Sequence, residues 1–467
     1  MHLKELWNSE LILRVAILVY IALLIFTLSF GYYVLPYILF LVTFLLIYFN
    51  LSRIRLLKKI QSYPLVYKIS LLFLIAVLLR FFLLAQDQVI TKDIEMYVMR
   101  SEWFLSGRIP YSEFHVNKPP LYAYLLYFVG KTLGTNVYAF RAFFSIMDGF
   151  VTMFIFYLAR YKHNDSFSFH ASFAYAICPL PIVAIGLSGH YEPIVMIFVL
   201  LSIILFYRKK YYLSSFLLGV GFAFKFFPIV LLPFFAWKLE NWKKRIIYVI
   251  LFIIPILISI IPILFMSPEA FWDYLYEQGY TWTAKKSFTF VFETITGYDN
   301  LLGVSSSFLF TLLFLFLILA MFITWVWKKF DPSFWFKVVI VIFALYYGLF
   351  ITASIKFFQS DLGIEDPLPF MVIWSITYFS MVFFLAKQFW HRLDLNLEPS
   401  DELLVLSAFA LIFLLFGSSQ NNPWYLLWIL PFVLIIKNNK IRFILLWLMF
   451  WNFEGLGISL LPGIGIG

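Results

Sequence analysis

Along the chain, apolar runs long enough to cross a bilayer alternate with short polar breaks. They lie near 11–30, 33–50, 66–85, 137–159, 167–187, 193–207, 246–266, 303–327, 336–354, 367–386, 403–416, 424–436 and 441–459, which predicts about 13 transmembrane helices. Two segments fit no simple crossing. Residues 211–237 separate two basic clusters, so the chain must leave and return to the same side. Each arm of about 12–13 residues rises only about 19 Å as a helix, short of a hydrocarbon core of roughly 30 Å. A re-entrant hairpin is therefore expected, with Lys225 and Pro228 near its tip. Residues 119–136 are also apolar, but a crossing there would place Arg160 and Lys162 on the outer side, so this segment reads as interfacial.

Composition sharpens the picture. Of 467 residues, 63% are apolar and 13% charged, against norms of about 45–50% and about 25% for soluble domains. The fold class is all-α and polytopic, one membrane domain over 1–467, with an extra helix pair over 1–65 and a core over 66–467 whose first external loop is 86–136. No soluble domain fits between the spans. The net charge of +10 reads as topology rather than as nucleic-acid binding. Basic clusters at Arg53 to Lys59, Arg160 and Lys162, Arg208 to Lys210, Lys238 to Arg245, Lys328 and Lys329, Lys387 and Arg392, and Lys437 to Arg442 fall in alternate loops. The positive-inside rule then places the N-terminus in the cytoplasm, the C-terminus outside, and the loops 86–136, 188–193, 267–302, 355–366 and 417–423 on the outer face. In 267–302, the stretch FWDYLYEQ from Phe271 suits a surface helix. The single cysteine, Cys178, excludes an intrachain disulfide and a thiolate metal site.

Polar residues converge between Lys92 and Gly130, in KDIEMYVMRSEWFLSGRIPYSEFHVNKPPLYAYLLYFVG. Asp93, Tyr97 and Arg100 recur at helical spacing, so a short helix just outside the third span carries a carboxylate, a phenol and a guanidinium together. Gly107 and Pro110 end it. Lys118 precedes Pro119 and Pro120, where the chain is held extended.

This order resembles the first external loop of GT-C glycosyltransferases, integral membrane enzymes that use polyprenyl-phosphate sugars. The similarity continues in SGHYEP at Ser188, LLGVGFAFKFFPIVLLP at Leu217 and NNPWYLLWILP at Asn421. The resemblance implies a GT-C fold, with Asp93 as the base and Lys118 on the lipid phosphate. Where aminoarabinose transferases carry an Arg just before the Tyr, this chain has Met96, and Arg100 one turn later takes that role. The WWDYG-like signature of oligosaccharyltransferases is absent, which disfavours en bloc glycan transfer. Mannose is the favoured sugar, because GHYEP and YLLWILP look most like mannosyltransferases; glucose, arabinose and aminoarabinose stay open.

The residues support this chemistry on their own terms. A lipid-linked sugar presents one phosphate, which needs cations at the membrane surface, and the acceptor hydroxyl needs a base across the anomeric carbon. One base predicts inversion, since retention through a covalent intermediate usually uses two close carboxylates. The expected partners are a polyprenyl-phosphate sugar donor, a lipid-linked or protein acceptor, and the bilayer, with no nucleic acid; no metal or other cofactor is indicated. Glu192 is expected to orient the acceptor or to pair with Lys118. His190 reads as a substrate contact or a metal ligand, against the commoner reading of a satisfied interfacial histidine; six histidines form no HxxxH or HxH pair. Lys225, a cation at membrane depth, is expected to be functional. Arg141 and Asp148 share a helix face and are expected to pair. Tyr425, with Trp424 and Trp428, lines a pocket or belongs to the interfacial aromatic belt. Glu95 and Glu102 read as solvated. The rival readings are a transporter or flippase, which would gather polar residues at mid-membrane in two repeated halves, and a non-enzymatic scaffold.

Overall fold

The computed structural model describes residues 10–30, 34–51, 54–84, 91–269, 304–329, 401–417 and 423–438, with a few isolated positions besides. Apart from a two-residue antiparallel pair, Asn300–Leu301 with Val304–Ser305, their regular structure is helical. Twelve helices frame the description: α1 (Glu10–Phe30), α2 (Val34–Phe49), α3 (Leu65–Phe81), α4 (Lys92–Leu105), α5 (Pro120–Leu133), α6 (Val137–Lys162), α7 (Asp165–Ile177), α8 (Glu192–Tyr207), α9 (Tyr211–Phe224), α10 (Trp242–Met266), α11 (Ser306–Val326) and α12 (Glu402–Gly417). The described residues fall into two compact units. One draws on Met1–Tyr274 and Asn422–Gly467, the other on Leu275–Asn421. In the second unit α11 packs on α12, and Trp325 Nε1 donates to Glu402 Oε1 at 2.7 Å.

By length and apolarity α6 and α10 are each long enough to cross a membrane, and α7 together with Pro179–Leu187 makes a third such run, bent by 40°. Apolar helices of this kind make the chain a membrane protein. Two expected crossings take a different form, and the segment expected as a re-entrant hairpin is broken near its middle. The segment 167–187 is not one straight helix: Cys178 is extended, prolines 179 and 181 follow, and the chain continues as a π-helix over Ile182–Leu187. A proline lacks the amide that would continue the ladder, so the break falls where the sequence puts it. The segment 424–436 is a 3₁₀ helix, Pro423–Trp428, followed by the short helix Leu430–Ile435, with Pro431 at the joint. At 211–237 the chain breaks at Lys225, between α9 and the turns Phe227–Leu231 and Leu232–Trp237. The expected spans 336–354, 367–386 and 441–459 and the surface helix from Phe271 lie outside the described residues, apart from a few positions.

Polar seams join the helices where apolar contact alone would leave them free to slide. Ser202 Oγ donates to the Ser214 carbonyl at 2.8 Å, and Ser214 Oγ lies 3.0 Å from the Tyr248 hydroxyl. These small residues tie α8, α9 and α10 together, the device favoured where lipid removes the hydrophobic drive for helix pairing. Gly130 sets the spacing of α4 on α5. A Cβ there would stand 1.9 Å from Ser101 Oγ, which itself donates to the Leu126 carbonyl at 2.9 Å.

The buried charge of this unit is not paired as the sequence suggested. Asp148 bonds Arg80 of α3, not Arg141: Arg80 Nε and Nη2 each lie 2.7 Å from Oδ2, and the Tyr175 hydroxyl donates to Oδ1 at 2.7 Å. Seven residues along one helix is about 10.5 Å, and helical side chains lean toward the N-terminus, which carries Arg141 away from Asp148. Arg141 instead approaches the Leu84 carbonyl at 3.5 Å. Arg80 also donates from Nη1 to the carbonyls of Ala76 and Ala176. One guanidinium thus satisfies an acidic partner and a carbonyl left over at the end of α7, just before the bent run.

Candidate active site

The helix α4 forms where the spacing predicted it. Thr91 caps it, with its hydroxyl accepting from the Ile94 amide, and Gly107 at φ +89° follows its end. The same Thr91 hydroxyl donates to the Ser188 carbonyl at 3.1 Å. That bond ties the start of α4 to the turn Ser188–Tyr191, which follows the bent run and leads into α8. Gly189 stands in this turn at φ +70°, and a Cβ there would meet Ile94 Cδ1 at 2.0 Å. Only glycine fits both the backbone angle and the close approach.

The docking of this turn on α4 brings Asp93 and His190 together, with Oδ2 3.6 Å from Nδ1. The distance exceeds a good hydrogen bond, though such contacts can tighten once substrate is present. Asp93 keeps 48% of its side chain exposed, whereas His190 is 1% exposed. Burial lowers the His190 pKa, outweighing the opposing pull of Glu192 and Asp93, so its imidazole is neutral near neutral pH. The Trp424 indole stacks on it at 3.8 Å between ring centroids.

Cations surround this pair in two different states. Lys118 follows a loop fixed by Tyr111, whose hydroxyl donates to the Lys118 carbonyl at 2.7 Å. Its ammonium makes no ion pair among the described residues. Burial, and then the like charge of Lys225, push its pKa down to about 8, against the pull of Asp93 and Glu192. Arg100 is likewise without a carboxylate; its Nη1 donates to the Tyr122 hydroxyl at 3.2 Å and to Asn117 Oδ1 at 3.5 Å, while Nε has no partner. Tyr97 lies beneath, edge-on to Tyr122 at 5.8 Å and to Tyr191 at 5.9 Å. Burial, followed by the Asp93 charge, raises its pKa well above that of a free tyrosine, so it stays a neutral phenol.

Lys225 behaves differently. At the end of α9 it forms a buried ion pair with Glu192 in the first turn of α8. Glu192 therefore pairs with Lys225 and not with Lys118, because the break after Phe224 aims the ammonium at that turn. The same Nζ sits over three rings, 4.6 Å from Tyr425, 5.1 Å from Tyr191 and 5.1 Å from Trp428. Tyr425 and Trp428 stack at 4.4 Å, and Phe227 stacks on Trp428 at 4.2 Å. Around the ammonium, Glu192 Oε2, the Tyr191 hydroxyl, Trp428 Nε1 and His190 Nε2 are buried without a hydrogen-bond partner among the described residues. Each such atom costs about 1–3 kcal/mol unless something satisfies it.

The unit thus gathers Asp93, Tyr97, Arg100, Lys118, His190, Glu192, Lys225 and Tyr425 around one cluster, while Glu95 and Glu102 face outward. Sequence reasoning gave Tyr191 no role, although its place between His190 and Glu192 was a signal. No group of three or more metal-ligating side chains occurs among the described residues. An open groove of about 490 Å³ bordered by Phe81, Leu133 and Tyr138 contains none of these residues.

The model of Glycosyltransferase family 87 matches residues 118–352, half of the chain. The matched stretch opens on Lys118 and includes His190, Tyr191, Glu192 and Lys225. Neither a curated protein nor a solved structure matches.

Proposed function

The chain belongs to glycosyltransferase family 87, and from that premise we propose that it transfers one sugar, with inversion, from a polyprenyl- or dolichyl-phosphate donor. The acceptor is a lipid-linked glycan, glycolipid or protein at the extracytoplasmic face, and mannose is the favoured sugar. The observation that carries the reading is a half-exposed carboxylate, Asp93, near two cations, Lys118 and Arg100, that form no ion pair among the described residues.

In this mechanism Lys118 and Arg100 hold the donor phosphate, which carries one negative charge as a diester. The acceptor hydroxyl attacks the anomeric carbon opposite the phosphate, and Asp93 takes its proton. The bond from anomeric carbon to phosphate oxygen breaks, and lipid phosphate leaves as the dianion. The two cations stabilise the charge that grows on that oxygen, the term that usually dominates in such transfers. His190, neutral and 3.6 Å from Asp93, holds the carboxylate in position. Tyr97 and Tyr122 form the floor, and Tyr122 aims the Arg100 guanidinium.

A transporter or flippase draws no support from the family match. The test uses purified protein, a radiolabelled polyprenyl-phosphate mannose and a membrane extract. Wild type moves label to a product, and Asp93→Asn keeps the fold and donor binding while losing nearly all turnover. Full turnover in that variant removes Asp93 as the base, and transfer from a nucleotide sugar overturns the donor.

A further inference from the structure

We propose that the Lys225–Glu192 pair, with Tyr191 and Trp428, is the subsite that recognises the transferred sugar, and that it selects an uncharged, hydroxyl-bearing ring. The inference rests on the glycosyl-transfer reading and adds the residues that read the sugar and the physical ground on which they exclude charged ones. The starting point is the cluster of unpartnered atoms. Glu192 Oε2 accepts, Trp428 Nε1 donates, and the Tyr191 hydroxyl and His190 Nε2 complete the set, all on side chains at least nine-tenths buried. Native chains seldom leave such atoms unpaired. Four of them around one ammonium ask for an occupant that both gives and takes hydrogen bonds. The hydroxyls of a sugar ring do both, and its apolar C–H face suits the stacked rings of Phe227, Trp428 and Tyr425.

Charge narrows the class. Lys225 is neutralised by Glu192, and His190 is uncharged, so the box has no net charge to offer. A sugar bearing an ammonium group adds a like charge beside Lys225 and gains a counter-ion only by displacing that lysine from Glu192, and a uronate competes with Glu192 for the same lysine. A neutral hexose or pentose does neither. The division of labour follows: the unpaired cations Lys118 and Arg100 read the phosphate, while the paired one shapes the sugar pocket. Because the four atoms are closed to water, the sugar reaches them by turning the partly exposed Trp424 ring off His190.

The test measures donor KM and kcat for the full-length protein with polyprenyl-phosphate mannose, its monodeoxy derivatives, and polyprenyl-phosphate 4-amino-4-deoxyarabinose. Tyr191→Phe keeps its ring and deletes one hydroxyl, whereas Trp428→Phe keeps an aromatic ring in the stack but deletes the indole N–H together with its five-membered ring. Each is expected to raise KM for the mannosyl donor about tenfold with kcat little changed, the signature of lost uniform binding. One monodeoxy donor should lose about tenfold in wild type but nothing further in the matching variant, and the amino sugar should be at least tenfold poorer than mannose. If a variant fails to fold, the wild-type series decides alone: a tenfold loss for one missing hydroxyl supports the subsite, and a flat series overturns it. Unchanged KM in both variants, or equal use of the amino sugar, also overturns it, with ordered water then filling the box. If wild type transfers none of these sugars, the glycosyl-donor reading itself falls, an outcome distinct from transfer with a flat series.

Discussion

The buried Arg80–Asp148 pair makes the sharpest test of how this fold is held. Both side chains are fully buried, and among the described residues the carboxylate has two partners, the Arg80 guanidinium on Oδ2 and the Tyr175 hydroxyl on Oδ1. Asp148→Asn leaves Arg80 as a buried cation with only carbonyl partners. Breaking one half of such a pair costs about 3–5 kcal/mol, because the remaining charge stays desolvated. With an unfolding entropy near 2.1 cal/mol/K per residue over 467 residues, this amounts to a drop of roughly 3–5 °C in the melting midpoint. Arg80→Met alone should cost a similar amount. The double variant Arg80→Met with Asp148→Asn should lose clearly less than the sum, since no naked charge remains, giving a coupling of about 2 kcal/mol or more. The assay is the temperature at which detergent-solubilised protein loses its monodisperse elution peak. A drop below 1 °C for Asp148→Asn, or losses in the double variant that simply add, would refute the reasoning.

Gly189→Ala should cost about 2–5 kcal/mol, from a left-handed backbone angle and overpacking against Ile94. It should also lower kcat more than a remote substitution of equal stability cost, because Ile94 neighbours Asp93; equal kcat at matched stability would refute that link. The Lys118 ammonium, with its pKa at about 8 instead of 10.5, loses charge as pH rises through that value. Donor KM is therefore expected to climb by about tenfold per pH unit above 8. Lys118→Arg, which stays protonated, should abolish that rise, and a pH-independent KM in wild type would show that the ammonium does not hold the phosphate. The loss of turnover in Asp93→Asn completes the set.

What the sequence revealed and what it hid follow one physical division. The helix over Lys92–Leu105 was legible because Asp93, Tyr97 and Arg100 recur at helical spacing and Gly107 and Pro110 mark its end locally. The break at Lys225 was legible because two arms of about 12–13 residues cannot span a core of about 30 Å. Partners across helices were not. Periodicity places Asp148 on a face but says nothing of Arg80, which lies 68 residues away in the chain. Glu192 was expected to orient the acceptor or to pair with Lys118, and only the folded chain shows its pair with Lys225. The prolines at 179, 181 and 431 did signal breaks, yet hydropathy read straight through them, because proline leaves an apolar average almost unchanged.

His190, Tyr191 and Glu192 are consecutive, so one short piece of backbone fixes the orientation of all three. An insertion or deletion in that turn would disturb the approach of His190 to Asp93 and the pair of Glu192 with Lys225 at once. Relatives that adopt a new sugar are therefore expected to change the opposite wall, residues 424–428 and Phe227, and to leave the turn alone. Diversification would then be written in the aromatic lining before it touched the turn that carries His190, Tyr191 and Glu192.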